Sequence, residues 1–352
     1  MISYYSGLNP ANRRGTSMTK KIRNFTLIIC CLSIFACTEN LSTNRPYILA
    51  TATTGGTYYP VGVALATITK AQLYESKGLS LSAISSAGSM ENIKLMRDNQ
   101  AQFAIVQSIF GAWGWHGDGP ISQPQTWMRS VCALWQNADH FVLTKELAGD
   151  GSIMAIDRLD GQRFALGARN SGAEYSGDHI LSSLGIDYAA KTNLAYMNYG
   201  ATANAVQDGT IVGMNVPGGV PITAITRAFA MVGDELTLLS FTDDQIAQVN
   251  ATYPLWQRFT IPGGTYPNLP ETIQSISHPN VLAVRADIPD DDVYEITRAI
   301  FENLGTLHEI HKATREVTLE AALAGLGVPL HPGAARYFRE QGIKIPPELT
   351  PP

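Results

Sequence analysis

The sequence predicts an α/β protein of two lobes, each a mostly parallel sheet with helices on both faces. Along most of the chain, segments with the pattern of buried strands alternate with segments that have one apolar face at helical spacing. This alternation is typical of βαβ units. The chain has 352 residues, more than one small core usually holds, so two lobes are expected.

The individual elements can be followed in order along the chain. Most strand-like runs are short and apolar or alternate at period two, and helical runs follow them. The runs are YILATAT then VGVALATITKAQL, LSLSAISS then SMENIKLMRDN, AQFAIVQS, RSVCALWQNADHFVLT, QRFALGA then NSGAEYSGDHILSSLGI, and TIVGMNV then ITAITRAFA.

Small and polar residues occupy the junctions between these strands and helices. Ligands of open α/β sheets bind beyond the carboxyl ends of the strands, where such junctions gather. We therefore expect one cleft between the lobes, lined by backbone amides and hydroxyl groups. The junctions are TTGGTYY, SSAGSMEN, VQSIFG, ARNSGAE and VPGGVP.

Residues 18–37 have the features of an export signal, with three basic residues followed by about a dozen apolar ones. The apolar run is shorter than the roughly 20 residues that cross a membrane. It ends in IFAC, which is similar to a bacterial lipobox and predicts a lipid on Cys37. Residues 1–37 are thus expected to be a leader with extra N-terminal residues, and residues 38–45 a tether. The mature protein is expected in the periplasm, with that lipid as its contact with the membrane.

Charge and motifs exclude several classes of protein. The formal net charge of −5, without a basic stripe, argues against nucleic-acid binding. Once the leader is removed and Cys37 carries lipid, Cys132 alone remains, so a buried thiol and no disulfide are expected. The sequence has no nucleophile elbow, no Cys-x-x-Cys pair and no histidine cluster with metal spacing. No catalytic residue, metal or cofactor is therefore predicted.

The stretch TATTGGTYYP places two glycines between a strand and a helix. The glycines fit a tight turn, or they let a ligand approach the N–H groups at the helix start, where an anion is favoured. Beside the other junctions, we favour a seat for a carboxylate on Gly55, Gly56 and Thr57. Tyr58 or Tyr59 would then act as a hydroxyl donor or as an apolar wall.

The junction RNSGAE combines helix capping with possible ligand contact. Ser171 and Glu174 have the S-x-x-E spacing of a capping box, so Glu174 is interpreted as a cap. Ser171 and Gly172 remain candidates for contact with the ligand. Arg169 either faces a second carboxylate of the ligand or is a surface charge.

Two other polar positions have the same two interpretations. Ser89 either caps a helix or meets a ligand together with Asn92. Gln107 ends an apolar strand, where its side chain is either satisfied by a loop backbone or lies in the cleft.

Several stretches together resemble the TAXI family, the solute-binding subunits of tripartite ATP-independent periplasmic (TRAP) transporters. The resemblance covers residues 46–345 and is most specific in the Gly-Gly-Thr-Tyr-Tyr-Pro loop and in VPLHPGAARYF. It implies a two-lobed, type II-like periplasmic binding protein that closes on a small organic acid or acidic amino acid. Glutamate, glutamine and 2-oxoglutarate-like dicarboxylates are the implied ligands. The implied partner is an ion-gradient-driven TRAP permease with fused small and large membrane subunits.

The binding loops of the family fall on the same junctions of this chain. Together with Arg169, they give the candidate ligand-binding residues. These are Gly55, Gly56, Thr57, Tyr58, Tyr59, Ser89, Asn92, Gln107, Arg169, Ser171, Gly172, Ala173, Glu174, Pro217, Gly218 and Gly219.

The chain departs from the family pattern at two of these loops. It reads VQSIF where an acid commonly follows, and RNSGAE where a Gly-Ser-Gly-Thr run is usual. The lost acid and Arg169 make the site more positive, which fits a more acidic ligand.

The chain is predicted to cross between the two lobes twice. Lobe I combines residues 46–139 with 277–352, and lobe II spans 140–276, with hinges expected at 135–143 and 275–284. The predicted function is capture without chemistry. A ligand-sensing role for a signalling partner needs the same cleft and stays an alternative. An exported hydrolase is a third hypothesis, for which the sequence offers no matched nucleophile and base.

Overall fold

The computed structural model describes residues 44–352, which fold around two β-sheets. The strands are described here in chain order. They are β1 (Arg45–Ala50), β2 (Leu79–Ile84), β3 (Phe103–Gln107), β4 (Met128–Ala138), β5 (Phe141–Thr144), β6 (Arg163–Gly167), β7 (Asn193–Tyr196), β8 (Gly213–Asn215), β9 (Leu236–Leu238), β10 (Gln257–Ile261) and β11 (Ile273–Arg285).

In each sheet three parallel strands form one side, and antiparallel pairing begins on the other side. The six-stranded first sheet has the order β10-β11-β3-β1-β2, with β4 also beside β11, and the five-stranded second sheet has the order β7-β6-β8-β5-β9. β1 runs parallel to β2 and β3, and β6 runs parallel to β7 and β8. β11 and β5 run antiparallel to these because the chain reaches them without a helical crossover. The predicted two-lobed α/β fold is confirmed, and lobe I and lobe II denote below the halves built on the first and second sheets.

Helices cover the sheets and most of them follow a strand directly. They are α1 (Tyr58–Lys77), α2 (Ser89–Arg97), α3 (Ser108–His116), α4 (Lys145–Ala148), α5 (Gly172–Ser183), α6 (Tyr188–Lys191), α7 (Tyr199–Gln207), α8 (Thr223–Val232), α9 (Asp243–Val249), α10 (Asp290–Glu302), α11 (Leu304–Ile310) and α12 (Pro332–Glu340). Between residues 44 and 352, no helix is both long and apolar enough to cross a membrane.

Cys132 lies on β4 and is fully buried, as the sequence predicts for this thiol. Burial raises the pKa of the thiol to about 12, so it stays protonated. The predicted leader, the lipid on Cys37 and nearly all of the predicted tether lie outside the described residues.

The chain passes from the first sheet to the second through two residues, Asp139 and His140, between β4 and β5. It returns between β9 and β10, because β10 pairs with β11 in the first sheet. Residues 257–261 and 273–276 therefore belong to the first sheet, although they were predicted from the sequence to lie in lobe II. The lobe boundaries remain a prediction, and sheet membership favours a return before residue 257.

The passage between the sheets buries titratable side chains. The Asp139 carboxylate accepts a hydrogen bond from Trp256 Nε1 at 3.3 Å, and its Oδ1 has no hydrogen-bond partner among the described residues. Burial without a cationic partner raises the pKa of Asp139 to about 8. Burial lowers the pKa of His140 to about 4 and that of His278, on β11, to about 3.

We expect these groups to make stability depend on pH in a defined way. An unfolded aspartate titrates near pH 4, so between about pH 4 and 8 the folded state holds an extra proton on Asp139, and stability falls as pH rises through this window. The buried histidines act in the opposite sense, but only below about pH 6.5, where the unfolded imidazoles are protonated. From about pH 6.5 to 8, the free energy of unfolding should therefore fall in the wild type and stay level in Asp139→Asn.

Urea unfolding at several pH values across this window measures the difference. Asp208→Asn is the matched control, because Asp208 is exposed and the wild-type slope should persist. An equal slope in the wild type and in Asp139→Asn would contradict the expectation.

Candidate functional site

A small cavity of about 30 Å³ lies between the two lobes and is partly open to solvent. Its wall is built by the loops that follow the carboxyl ends of the parallel strands, β1 to β3 in lobe I and β6 to β8 in lobe II. The predicted cleft is therefore present at the position that open α/β sheets favour. The wall residues are Ala52, Thr53, Gly56, Thr57, Tyr58, Ala87, Gly88, Ser89 and Gln107 of lobe I, and Gly172, Ala173, Tyr199 and Pro217 of lobe II.

Five helices begin at this wall, three from lobe I and two from lobe II. The first N–H groups of a helix have no partner within the helix, and the helix dipole places partial positive charge there. None of the wall side chains contributed by residues 44–352 is charged. The site therefore suits an anion held by backbone groups. The five helices are α1, α2, α3, α5 and α7.

Gly55 and Gly56 lie where the other lobe comes closest to the loop before α1. A Cβ on Gly56 would lie 3.1 Å from the ring of Tyr199, and one on Gly55 would lie 3.3 Å from the backbone nitrogen of Gly200. The Gly56 N–H also donates to the Thr53 carbonyl at 3.1 Å, which closes a tight turn. The tight turn expected of the glycine pair is therefore present, and the nearest neighbour of both glycines is lobe II. The N–H group of Gly56 is used in the turn, so a carboxylate on Gly55 and Thr57 stays a prediction.

The residues after these glycines join the wall in different ways. The hydroxyl of Thr57 donates to the Gly219 carbonyl and accepts from the Gly219 N–H, both at 3.1 Å, and so ties the two lobes together. The hydroxyl of Tyr58 donates to Asn280 Oδ1, and its ring packs edge-on against Trp135 at 5.7 Å. Tyr58 is therefore a buried part of the wall, whereas Tyr59 does not line the cavity.

Ser89 and Gln107 form one polar corner of the wall. The Gln107 N–H donates to Ser89 Oγ at 3.0 Å, so this hydroxyl helps to fix the end of β3. The side chain of Gln107 is 3% exposed, and its Oε1 has no hydrogen-bond partner among the described residues. A Cβ on Gly172 of lobe II would lie 2.9 Å from Gln107 Nε2 and from Ser89 Oγ.

Asn92 is fully buried and does not line the cavity. Its Nδ2 donates to the Thr51 carbonyl at 2.7 Å and to the Ile105 carbonyl at 2.8 Å, and its Oδ1 accepts from Ser86. The side chain thus joins the residue just after β1 and the middle of β3 to the loop after β2. This geometry gives Asn92 a structural task behind the site.

Ser171 caps α5 as predicted, but the reciprocal bond of a capping box is not formed, because the Glu174 side chain accepts from the residue before the N-cap. Ser171 Oγ accepts from the Glu174 N–H at 3.0 Å, and Glu174 accepts from the Asn170 N–H at 2.6 Å. The Arg169 guanidinium stacks on the Tyr196 ring at 3.5 Å and lies 3.9 Å from Glu174, with 69% of its side chain exposed. Ser171, Glu174 and Arg169 therefore lie beside the cavity without lining it.

The lobes touch along the rim of the cavity. The Glu91 N–H donates to the Asn170 carbonyl at 3.2 Å, and Lys94 Nζ donates to Asn170 Oδ1 at 3.1 Å. A Cβ on Gly88, whose φ is +122°, would lie 3.4 Å from the Gly172 nitrogen. The structure therefore has the lobes closed on one another.

The candidate residues divide evenly between the wall and its surroundings. Gly56, Thr57, Tyr58, Ser89, Gln107, Gly172, Ala173 and Pro217 line the cavity, and Gly55, Tyr59, Asn92, Arg169, Ser171, Glu174, Gly218 and Gly219 do not. A Cβ on Gly219 would meet Trp135 and Ala313 at 2.6 Å to 2.7 Å, so this glycine serves packing.

Sequence reasoning missed five wall residues: Ala52, Thr53, Ala87, Gly88 and Tyr199. A signal existed for Tyr199, since it follows β7 and opens α7, with Asn198 Oδ1 accepting from the Ala201 N–H. This is the same strand-to-helix junction that marked the other loops. Tyr199 was not predicted to line the cleft because its junction has no glycine pair and no run of hydroxyl residues.

Residues 49–342 match the NMT1-like family, and the chain belongs to it. Among solved structures, MatC from Rhodopseudomonas palustris with bound malate is 12% identical, with 85% of this chain and 97% of that chain covered and a TM-score of 0.51. A protein of Bordetella bronchiseptica RB50 is 12% identical over 87% of this chain and 91% of that one, with a TM-score of 0.50. The periplasmic aliphatic sulphonate binding protein SsuA of Escherichia coli is 11% identical over 84% and 83%, with a TM-score of 0.43. The chain shares its fold with MatC and with the Bordetella protein.

Replacement of Asn92 should test its structural task. We expect Asn92→Ala to lower the free energy of unfolding by about 2–4 kcal/mol, because it leaves buried carbonyl groups without their donor. Asn193→Ala, at an exposed position on β7, should change it by less than about 0.5 kcal/mol. Urea unfolding of both variants measures these changes. Equal small effects in both variants would show that Asn92 does not stabilise the strands that it contacts.

Proposed function

We propose that the protein is an extracytoplasmic solute-binding receptor that captures a small carboxylate by closure of its two lobes. The observation that carries this proposal is the convergence of five helix N-termini from both lobes on one cavity without charged side chains. Such N-termini bind carboxylates and phosphates through their N–H groups. Capture requires no chemistry, so no residue is proposed to be catalytic.

The energies involved are sufficient for a transport receptor. A helix N-terminus contributes about 0.3–1 kcal/mol toward a surface anion and up to ~2 kcal/mol when partly buried. Micromolar to nanomolar capture needs about −8 to −12 kcal/mol. Several helix starts, hydrogen bonds from the wall and apolar contact with Tyr58 and Tyr199 can together supply this range.

The finer assignment follows the TAXI resemblance. Glutamate, glutamine or a 2-oxoglutarate-like dicarboxylate would be the ligand, and the fused membrane subunits of a TRAP permease would receive it. The malate in MatC, a fold neighbour, is also a small carboxylate. Export through residues 1–37 and a lipid on Cys37 would place the receptor beside such a permease.

A thermal-shift screen of purified protein, refolded to remove resident ligand, tests the ligand class. At 100 times its dissociation constant, a ligand stabilises the folded state by ~2.7 kcal/mol. We expect shifts from a few small carboxylates and none from sugars or phosphate esters. A shift only from sugars or phosphate esters would refute the proposed ligand class.

Gly172→Ala tests the closure of the lobes. The new Cβ would lie 2.9 Å from Gln107 Nε2 and Ser89 Oγ, across the gap between the lobes, so closure around the ligand should be hindered. We expect affinity for the best carboxylate to fall about tenfold or more, as overpacking of 1–3 kcal/mol implies.

Gly200→Ala is the matched control, because its Cβ would meet only Asn198 Oδ1, at an ordinary 3.5 Å. Calorimetric titration compares the two variants with the wild type. Unchanged affinity in Gly172→Ala would mean that the closed arrangement is not the one that binds.

A further inference from the structure

Gln107 and Thr53 present unpaired oxygen atoms at the cavity. Gln107 Oε1 and Thr53 Oγ1 are both buried and have no hydrogen-bond partner among the described residues, and both side chains line the wall. An unpaired buried acceptor is costly, whereas a ligand that donates a hydrogen bond to it removes the cost. The wall therefore favours a ligand that carries a donor group.

The charge of the wall limits what that donor can be. The wall side chains between residues 44 and 352 include no cation and no anion. The helix N-termini that hold the first carboxylate would thus have to hold a second one as well, without any cationic side chain, and an ammonium group would have no anionic partner. Both are unfavourable. Arg169 does not supply the missing cation, because it stacks on Tyr196 with most of its side chain exposed. A neutral donor, such as a hydroxyl group, avoids the cost of burying a second charged group.

The position of the Gln107 amide is set by both lobes. Its Nε2 lies against Gly172 of lobe II, and its backbone N–H is held by Ser89 Oγ of lobe I. A buried amide confined in this way cannot easily turn to suit another ligand. It is suited to discriminate between ligands that differ by one hydroxyl group.

We infer that the ligand is a small hydroxy acid with a single carboxylate, and that Gln107 selects it by accepting a hydrogen bond from its hydroxyl group. The helix N-termini hold the carboxylate, and Thr53 Oγ1 is a further unpaired oxygen on a residue of the same wall. This inference rests on the proposed capture of a small carboxylate, and it replaces glutamate, glutamine and the dicarboxylates as the ligand with hydroxy monoacids.

Two matched series of acids separate the charge of the ligand from its donor group. Lactate, propionate and pyruvate differ only at carbon 2, and 2-hydroxyglutarate, glutarate and 2-oxoglutarate repeat the comparison with a second carboxylate. Glutamate and 2-hydroxybutyrate complete the panel, and calorimetric titration of the refolded wild type gives each dissociation constant. We expect the hydroxy monoacids to bind about 10- to 100-fold more tightly than their deoxy and oxo counterparts. They should also bind more tightly than every dicarboxylate.

Gln107→Met tests the selecting residue, because methionine is of similar length and lacks the amide oxygen. The preference for hydroxy over deoxy acid should fall to about onefold in this variant. It should be unchanged in Gln100→Met, which alters an exposed glutamine. Should Gln107→Met fail to fold, as judged by circular dichroism, the wild-type ranking decides by itself.

The outcomes distinguish this inference from the function on which it rests. Equal binding of lactate, propionate and pyruvate, or tighter binding of 2-oxoglutarate or glutamate, overturns the inference and leaves carboxylate capture intact. An unchanged preference in a folded Gln107→Met overturns the role of Gln107. Binding of no carboxylate at all overturns both.

Discussion

The close approach of the two lobes at the cavity is the constraint on which the site depends. Gly56 lies against the Tyr199 ring and Gly172 against the Gln107 amide, at distances that leave little room for a Cβ. A helix dipole acts mainly within the first turn, so its effect on a ligand is lost within a few ångströms. Glycine at these contacts lets helix N-termini from both lobes face the same small volume. A larger residue there would move the helix N-termini of the two lobes apart.

The absence of charged side chains from the described wall determines how this site can recognise a ligand. Backbone N–H groups and side-chain oxygens are fixed by the fold, so they need little rearrangement when a charged group enters a place of low dielectric constant. A lysine or arginine in the wall would bind many anions strongly through its charge. A wall of dipoles distinguishes ligands by their size and by the hydrogen bonds they complete. The unpaired oxygens of Gln107 and Thr53 are the atoms that can make such distinctions here.

Where the chain passes between the sheets, burial likewise favours uncharged side chains. Trp256 packs between His179 and His278, with ring centroids 5.0 Å and 4.9 Å away. Burial lowers the pKa of both histidines and raises that of Asp139, so each group is pushed toward its neutral form. The region that joins the lobes is therefore polar without being charged. Of Asp139, His140 and His278, Asp139 has the pKa nearest to neutral pH.

The sequence by itself determined the α/β alternation, the strand-to-helix junctions that line the cleft, the buried thiol of Cys132 and the cap formed by Ser171 and Glu174. These features depend on neighbours within a few positions, such as apolar periodicity and the spacing of a capping box. Only the tertiary structure decided which interpretation holds for residues whose partners are distant in sequence. Asn92 bonds to the carbonyls of Thr51 and Ile105, Tyr58 bonds to Asn280, and Gly56 meets Tyr199, because folding brings together segments that local spacing does not relate. The return to the first sheet was likewise set by the pairing of β10 with β11, a contact that the pattern of either strand alone does not specify.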